Sequence, residues 1–416
     1  QASLSRHRSS VFGKNVQWGY FPSVGVSWRA GQEKFVQDLG IFDDLKLRAS
    51  YGVTGNSSGF DAYTAQFLSN SMGNFYYNGS STMSYGPNKA ENPDLQWEKT
   101  STANVGLDAS FLKGRLSFIF DLYNKNTTDM IYWYDADRFL EPAGGIIANG
   151  GSMSNKGVEL SISAIPVKTK DFTWKTNINL AHNKNTITSL SNPYFIGGDS
   201  IRYTQPDGSG QTSSTLQIRK SGYPLGQFFT LIYQGKNDEG ISQYLAKDGS
   251  LTTNPTTADY RYAGSPQPKL NYGWSNTFSY KNFDLSIFIR GVYGNKIFNA
   301  TRADLFRPST VAFTNILADA ANESEKDVNA YKYSSRFIED GSYLRLDNMT
   351  LGYTFKSPVK FMESLRFYTT VNNLFVITKY TGVDPELNMG GLAPGIDSNY
   401  FYPKTRTILF GLNINL

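Results

Sequence analysis

No cysteine occurs in this chain, and histidine occurs twice, as His7 and His182. Without cysteine there is no disulfide, no thiolate nucleophile and no thiolate metal site. A lipase-like Ser–His pair would have to be built on His182. That residue sits near the end of an alternating segment beside Asn183 and Asn185, the setting of a wall residue. No apolar run reaches 18 residues, which excludes a helical membrane span. Charge of one sign is also scarce. Forty Lys and Arg against 35 Asp and Glu leave a net +5 spread over 416 residues, so no nucleic-acid footprint is read. No glycine-rich phosphate loop with its lysine is present. Carboxylates are thin where a calcium loop would need several at regular spacing. The two nearest approaches are Lys236-Asn237-Asp238-Glu239-Gly240 and Thr257-Ala258-Asp259-Tyr260. The pairs Asp43-Asp44 and Asp384/Glu386 suit a glycosidase only superficially and read better as turn caps and loop punctuation. Neither catalysis, cofactor nor metal is expected.

Aromatic residues, by contrast, are plentiful: 27 Tyr, 28 Phe and 6 Trp, with 38 Gly. The mean hydropathy of −0.40 reads as soluble, but inward and outward residues of a membrane barrel cancel in that mean. The period-two pattern is the stronger signal. In the last stretch Ile408, Phe410, Leu412, Ile414 and Leu416 share one side, opposite Thr407, Gly411, Asn413 and Asn415, with Leu409 an exception. Ala103, Val105, Leu107, Ala109 and Phe111 form a face, and after a turn at Lys113-Gly114 so do Leu116, Phe118, Phe120 and Leu122. Val158, Leu160, Ile162 and Ala164 follow, then Phe172, Trp174, Thr176, Ile178 and Leu180. Further faces are Tyr272, Trp274, Phe278 and Tyr280, then Phe283, Leu285, Ile287 and Ile289, then Met349, Leu351, Tyr353 and Phe355, and a weaker one at Leu365, Phe367 and Val371. Near the N-terminus one strand is expected around Arg6–Phe12 and others in 20–28 and 42–53.

Short connections (112–114, 166–171, 281–282, 356–364) alternate with long ones (57–98, 127–155, 294–342, 378–403), as periplasmic turns alternate with external loops in outer-membrane barrels. Apolar faces end in aromatics (Phe111, Tyr280, Tyr353, Phe355), as interface girdles do. Keeping the alternation between Lys184 and Leu270 is read to need one extra strand, with Ser213–Lys220 turning at Ser221–Gly226 into Gln227–Gly235. The total is then about thirteen strands from Gly19 onward, or fourteen with the N-terminal one. The expected fold is all-β, a transmembrane antiparallel β-barrel. A soluble propeller, or a surface adhesion protein of β-sandwich type, is the rival fold. A passive porin-type channel is the rival within the membrane.

Several stretches then carry a family resemblance. They are Phe21-Pro22-Ser23-Val24, Leu45 through Asn56 (Leu-Lys-Leu-Arg-Ala-Ser-Tyr-Gly-Val-Thr-Gly-Asn), Asn92-Pro93-Asp94-Leu95-Gln96-Trp97-Glu98-Lys99, Tyr123-Asn124-Lys125 with Asp129-Met130, Asn155-Lys156-Gly157-Val158-Glu159-Leu160, Pro266-Gln267-Pro268-Lys269, Gly341-Ser342-Tyr343-Leu344-Arg345-Leu346, Asn372-Asn373-Leu374-Phe375 and Tyr380-Thr381-Gly382-Val383-Asp384-Pro385-Glu386. In order and over nearly the whole chain, they resemble the C-terminal half of the SusC/RagA family of TonB-dependent outer-membrane transporters. That resemblance implies a 22-strand plugged barrel in the outer membrane, of which residues 1–416 would be the C-terminal portion with its long external loops. It implies active uptake of oligosaccharides, or of peptides, in a Bacteroidetes-type envelope. The implied partners are a SusD-like lipoprotein lid, TonB–ExbB–ExbD reached through an N-terminal part, outer-membrane lipid and LPS, and a second transporter–lipoprotein pair. The plug, the TonB-contacting segment and the early strands have no counterpart here. They are expected on a preceding segment or a separate chain, and an export signal is expected upstream of Gln1.

Ligand contacts are sought among loop aromatics, whose flat faces suit sugar rings and apolar peptide side chains. The candidates are Tyr132, Trp133 and Tyr134, then Tyr76 and Tyr77 beside Phe75, then Tyr400 and Tyr402 beside Phe401. Membership of the outer aromatic belt is the plainer role for each.

Overall fold

The computed structural model describes all residues except 140, 192–199, 205, 207–210, 212–213, 325, 360, 388–389 and 398–401. Twelve strands form one antiparallel sheet, numbered here β1 to β12: Ala2–Arg8, Trp18–Trp28, Asp44–Asn56, Glu98–Phe111, Leu116–Thr128, Ser152–Lys168, Phe172–Ser189, Leu270–Tyr280, Phe283–Tyr293, Tyr343–Val359, Met362–Thr378 and Thr407–Asn415. Each pairs with its neighbours in sequence order, so β1 and β12 lie at the two margins. The N-terminal strand sits a few residues earlier than the expected Arg6–Phe12, and Phe12 is instead buried in the loop that follows.

The ladder registers keep each apolar face continuous. Phe120, Leu160 and Leu180 stand side by side across β5, β6 and β7. Ile287, Met349, Val371 and Ile408 do the same across β9 to β12. Two polar groups interrupt this face, and an indole satisfies each. Trp174 Nε1 donates to Asn276 Oδ1 at 3.0 Å, and Trp274 Nε1 donates to Thr176 Oγ1 at 2.9 Å. At the short-turn end the aromatics form chains of ring contacts. Phe42 meets Phe111 (5.1 Å) and Phe111 meets Phe118 (5.8 Å). Trp174 meets Phe278 (5.8 Å), and Phe283, Tyr353, Phe355 and Phe367 follow one another at 4.5, 4.7 and 6.0 Å. This is the girdle the sequence pattern predicts.

The extra barrel strand expected between Lys184 and Leu270 is not found among the described residues. β7 pairs directly with β8, from Phe172↔Tyr280 to Ala181↔Asn271. Gln217–Lys220 and Phe228–Thr230 instead join Ser200–Tyr203 and Arg261–Gly264 in a separate four-stranded sheet within the connection 190–269. Ser213, the start of the expected strand, lies outside the described residues. The alternation never required the insertion: β7 runs away from the short-turn end, β8 returns to it, and one long loop between them keeps the parity. Among the described residues the barrel wall therefore has twelve strands, not thirteen or fourteen.

The orientation is testable. A cysteine at Lys170, in the short turn between β6 and β7, is expected to resist an impermeant thiol reagent on intact cells. Cysteines at Ser80 and at the exposed Val311 are expected to react. The inverse labelling pattern would reverse the assignment.

Candidate functional site

The side chains on the face opposite the apolar one line the lumen, and they are organised in three ways. The first is a pair of ion bridges that cross an intervening strand over a glycine. Arg48 on β3 reaches Asp108 on β4 (2.8 Å) and Asp121 on β5 (3.0 Å). A Cβ at Gly106 would stand 2.6 Å from both the Arg48 guanidinium and the Asp121 carboxylate. Arg366 on β11 reaches Asp284 on β9 at 2.6 Å in the same manner across Gly352 of β10. In both places glycine leaves the room in which the bridge lies.

The second is a run of amides along β6 and β7. Asn177 donates to Ser161 and Ser163, Asn179 donates to Asn177, and Asn183 and Asn185 both donate to Asn155. An amide carries two donor hydrogens and two acceptor lone pairs, so the run presents unused hydrogen-bonding capacity to the lumen without net charge.

The third is an ionic cluster near the loop ends of β9 and β10. Arg290 and Arg345 face each other directly across the ladder, an arrangement that is destabilising unless countered. Asp347, Asp384 and Glu386 counter it. Arg290 forms a two-pronged bridge to Glu386 (both 2.9 Å) and a bond to Asp347 (2.9 Å). Arg345, 1% exposed, bonds Asp384 at 2.5 Å and also donates to Asn373. Lys404 reaches Glu386 at 2.7 Å. Three cations and three carboxylates thus fasten the connection 379–406 to the lumen wall. Asp384 and Glu386 are more than the loop punctuation read in the sequence, because their partners lie tens of positions away.

Above the wall, the connections 190–269, 294–342 and 379–406 fold as one unit with its own core. Leu216 and Phe228 come from the first connection, and Phe298, Phe306, Tyr333 and Phe337 from the second, with Ile396 of the third packed against them. Lys296–Asn299 pairs with Ile338–Asp340 and, in parallel, with Ile396–Asp397. A second core of Phe12, Phe21, Ala65, Leu95 and Trp97 joins the connections near β1 to β5.

The aromatic candidates fall in separate places. Tyr132, Trp133 and Tyr134 lie on Ile131–Asp135, which pairs with Gly145–Asn149. Tyr132 and Tyr134 stack on each other (4.4 Å between centroids), and Tyr132 donates to the Leu190 carbonyl at 2.8 Å. Burial pushes both phenols' pKa values up. Trp133 points the other way and is exposed, its indole bonded to Asp135. Tyr76 and Tyr77 project from the hairpin Leu68–Tyr77/Ser80–Lys89, a two-stranded sheet of its own among the described residues, and both are well exposed. Tyr402 is exposed, and Tyr400 lies outside the described residues. One aromatic group escapes sequence reading altogether. Tyr223 and Tyr262 stack at 4.4 Å and 13°, with Phe229 5.2 Å from Tyr262 and Arg202 5.2 Å from Phe229. Its members come from four short segments, so no local spacing announces it. The thin acidic stretches are occupied by their own backbone. The Asp259 carboxylate accepts from Lys247 N and Thr256 N, and the Asn237 side chain from Glu239 N and Ile241 N.

A twelve-strand wall with an oily face, a girdle, one-sided loops and a polar lumen specifies a family more narrowly than its strands do. Residues 2–374 match the family model for the TonB dependent receptor-like β-barrel. This chain belongs to that family. It is 34% identical to the TonB-dependent receptor SusC of Bacteroides thetaiotaomicron, over 98% of this chain and 41% of that protein. It is 30% identical to the TonB-dependent receptor P3 of Formosa agariphila, over 98% of this chain and 43% of that protein. The structure of the RagAB peptide transporter superposes with a TM-score of 0.82 at 26% identity, covering 99% of this chain and 45% of that one. The chain therefore spans less than half the length of these relatives. As a member of this family it is an outer-membrane β-barrel protein.

The connection 379–406 carries two carboxyl groups of opposite behaviour. Burial raises the Glu386 pKa, but Arg290 and Lys404 outweigh it and hold the group below its ordinary value. Burial raises Asp397, and the hydroxyls of Tyr380 and Thr301 only partly offset this. A depressed carboxyl contributes stability above its unfolded pKa and loses it as the pH falls through the folded value. A raised carboxyl does the reverse, costing stability above its unfolded pKa. At pH 7, Asp397→Asn is therefore expected to slow, or leave unchanged, hydrogen exchange of 380–397. Glu386→Gln is expected to speed it. Faster exchange in Asp397→Asn would contradict the assignment.

Proposed function

We propose that this chain is the C-terminal part of the barrel of a TonB-dependent importer of large nutrients, oligosaccharides or peptides, working under a SusD-like lipoprotein lid. The reading rests chiefly on the identity with SusC across nearly the whole chain. The wall supports it. Most of its polar groups are neutral amides or ion-paired charges, with Glu159 and Lys175 as charges of opposite sign on the same face, which suits a bulky hydrogen-bonding cargo better than a fixed-charge filter for small ions. The peptide alternative draws support from the likeness to RagAB.

Transport of this kind needs more than these strands. β1 and β12 each have one unpaired edge in the sheet, and an open edge in hydrocarbon leaves backbone groups unsatisfied at several kcal/mol each. We infer that a further N-terminal segment supplies the remaining strands, the plug and the contact to TonB–ExbB–ExbD, and that its terminal strands pair with β1 and β12. Two transporter–lipoprotein pairs would form the working dimer.

A strain deleted for the transporter and grown on single purified glycans and peptides tests the reading. Growth is expected to fail on one class and to return with the full-length gene. Among complementing variants, Tyr76→Ala/Tyr77→Ala and Tyr262→Ala are expected to raise the substrate concentration needed for half-maximal growth several-fold, because a stacked aromatic contributes about 1 kcal/mol. Unimpaired growth on every substrate would sink the import reading. A TonB-independent leak of the same substrates would favour the porin.

A further inference from the structure

The outward face carries a feature that neither the girdle nor transport requires. Lys156 of β6 and Lys184 of β7 are directly opposite each other in the ladder. Both are exposed, and neither forms an ion pair among the described residues. The strand alternation places them on the lipid side, in line with Val158 and Leu180 and away from Glu159 and Asn183. Two like charges facing each other are normally unfavourable, and a lysine on the lipid face is costly unless it lies at the interface.

Their height is at that interface. Lys184 lies ten residues along β7 from Trp174 of the short-turn girdle (184 − 174). At about 3.3 Å per residue and a tilt of about 40°, that is about 25 Å of height, the thickness of the apolar band. The lysines therefore stand where the outer leaflet's hydrocarbon gives way to its polar groups. Immediately below them is an outward groove of about 520 Å³, with Val105, Leu122 and Val158 on its apolar part and His182 beside the lysines. In the register these occupy two rows: Asn124, Lys156 and Lys184 above, and Leu122, Val158 and His182 below. His182 Nδ1 is engaged with the Lys269 carbonyl at 2.6 Å.

We propose that this groove binds a phosphate-bearing lipid of the outer leaflet. An acyl chain would lie along Val105, Leu122 and Val158, and the phosphate would bridge the two ammonium groups. A dianionic phosphate turns the repulsion between Lys156 and Lys184 into two charge-assisted contacts, and the apolar part selects a lipid over free phosphate.

The test is native mass spectrometry of the full-length transporter in an uncharged detergent. The probes are phosphatidic acid, diacylglycerol with the same chains, and inorganic phosphate. The wild type is expected to retain phosphatidic acid at a concentration about tenfold below that needed for diacylglycerol, the ratio that one charge-assisted bond supplies. Inorganic phosphate is expected not to displace it. Lys156→Gln/Lys184→Gln is expected to abolish the preference, and Lys156→Arg/Lys184→Arg to keep it. Lys175→Gln, on the lumen side, serves as the control. If the double glutamine variant fails to fold, each single variant should lose part of the preference. Retention by the glutamine variants equal to wild type, equal retention of diacylglycerol, or displacement by inorganic phosphate would each overturn the proposal.

Discussion

Arg345→Met is expected to destabilise the protein by about 3–5 kcal/mol, because it strips the counter-charge from a buried carboxylate. Arg345 is 1% exposed and its partner Asp384 is 4% exposed. Among the described residues Asp384 then keeps one backbone donor, Glu386 N at 2.9 Å, which is too little to hold a buried anion. Asn373 loses its contact at the same stroke, and it occupies the left-handed region (φ +52°) at the upper part of β11. The loss should fall first on 379–406, seen as protease cleavage near Lys404 at temperatures where the wall strands remain intact. The gel-mobility transition of the heated protein should then shift to lower temperature. Arg345→Lys is expected to fall between, since an ammonium keeps the charge but not the guanidinium fork. The double variant Arg345→Met/Asp384→Leu is expected to recover part of the loss, because neither charge is then left alone. A loss below about 1 kcal/mol for Arg345→Met would show that the cluster does not anchor the loop.

The same cluster shows where the sequence could be read and where it could not. The period-two faces of β4 to β12 were legible because one strand's alternation is a local property, and each register then falls into place by matching oily face to oily face. The ionic cluster was not legible. Arg290, Arg345 and Glu386 are brought together by two register choices and a loop path, none of which leaves a mark at short spacing. The error at 190–269 has a similar origin. Gln217–Lys220 and Phe228–Thr230 are true strands, but they pair within an external sheet, and strand propensity does not say which sheet a strand will join. The stretches that carried the family resemblance prove to be anchors. Phe21, Leu95 and Trp97 build the second loop core. Asn155 holds the amide run, and Tyr380, Asp384 and Glu386 tie the last loop down. Of the aromatic candidates, Tyr132 and Tyr134 spend their faces on each other. Ring count alone could not distinguish them from exposed Tyr76 and Tyr77.

Leu160→Arg and Ser161→Arg, adjacent in sequence, are expected to differ by about 2–4 kcal/mol in stability, because successive residues of a strand face opposite media. Leu160 lies between Phe120 and Leu180. Leu180 is six residues from the girdle residue Trp174 (180 − 174), about 15 Å of height at the usual rise and tilt, near the middle of the hydrocarbon. A guanidinium there cannot reach either interface without dragging water or bending the bilayer. Ser161 faces the lumen, where its hydroxyl accepts from Asn177 at 3.3 Å. An arginine there loses that bond but remains hydrated, and the carboxylates of Asp121 and Glu159 line the same hollow. Urea unfolding of the full-length transporter in lipid vesicles measures the difference. Moving the same pair toward the girdle, to Ala164→Arg and Ser163→Arg, should shrink it toward about 0–1 kcal/mol, since the cost of a lipid-facing charge falls near the interface. Equal costs at Leu160 and Ser161 would mean that both faces meet the same medium. That would leave the wall's alternation without its membrane explanation.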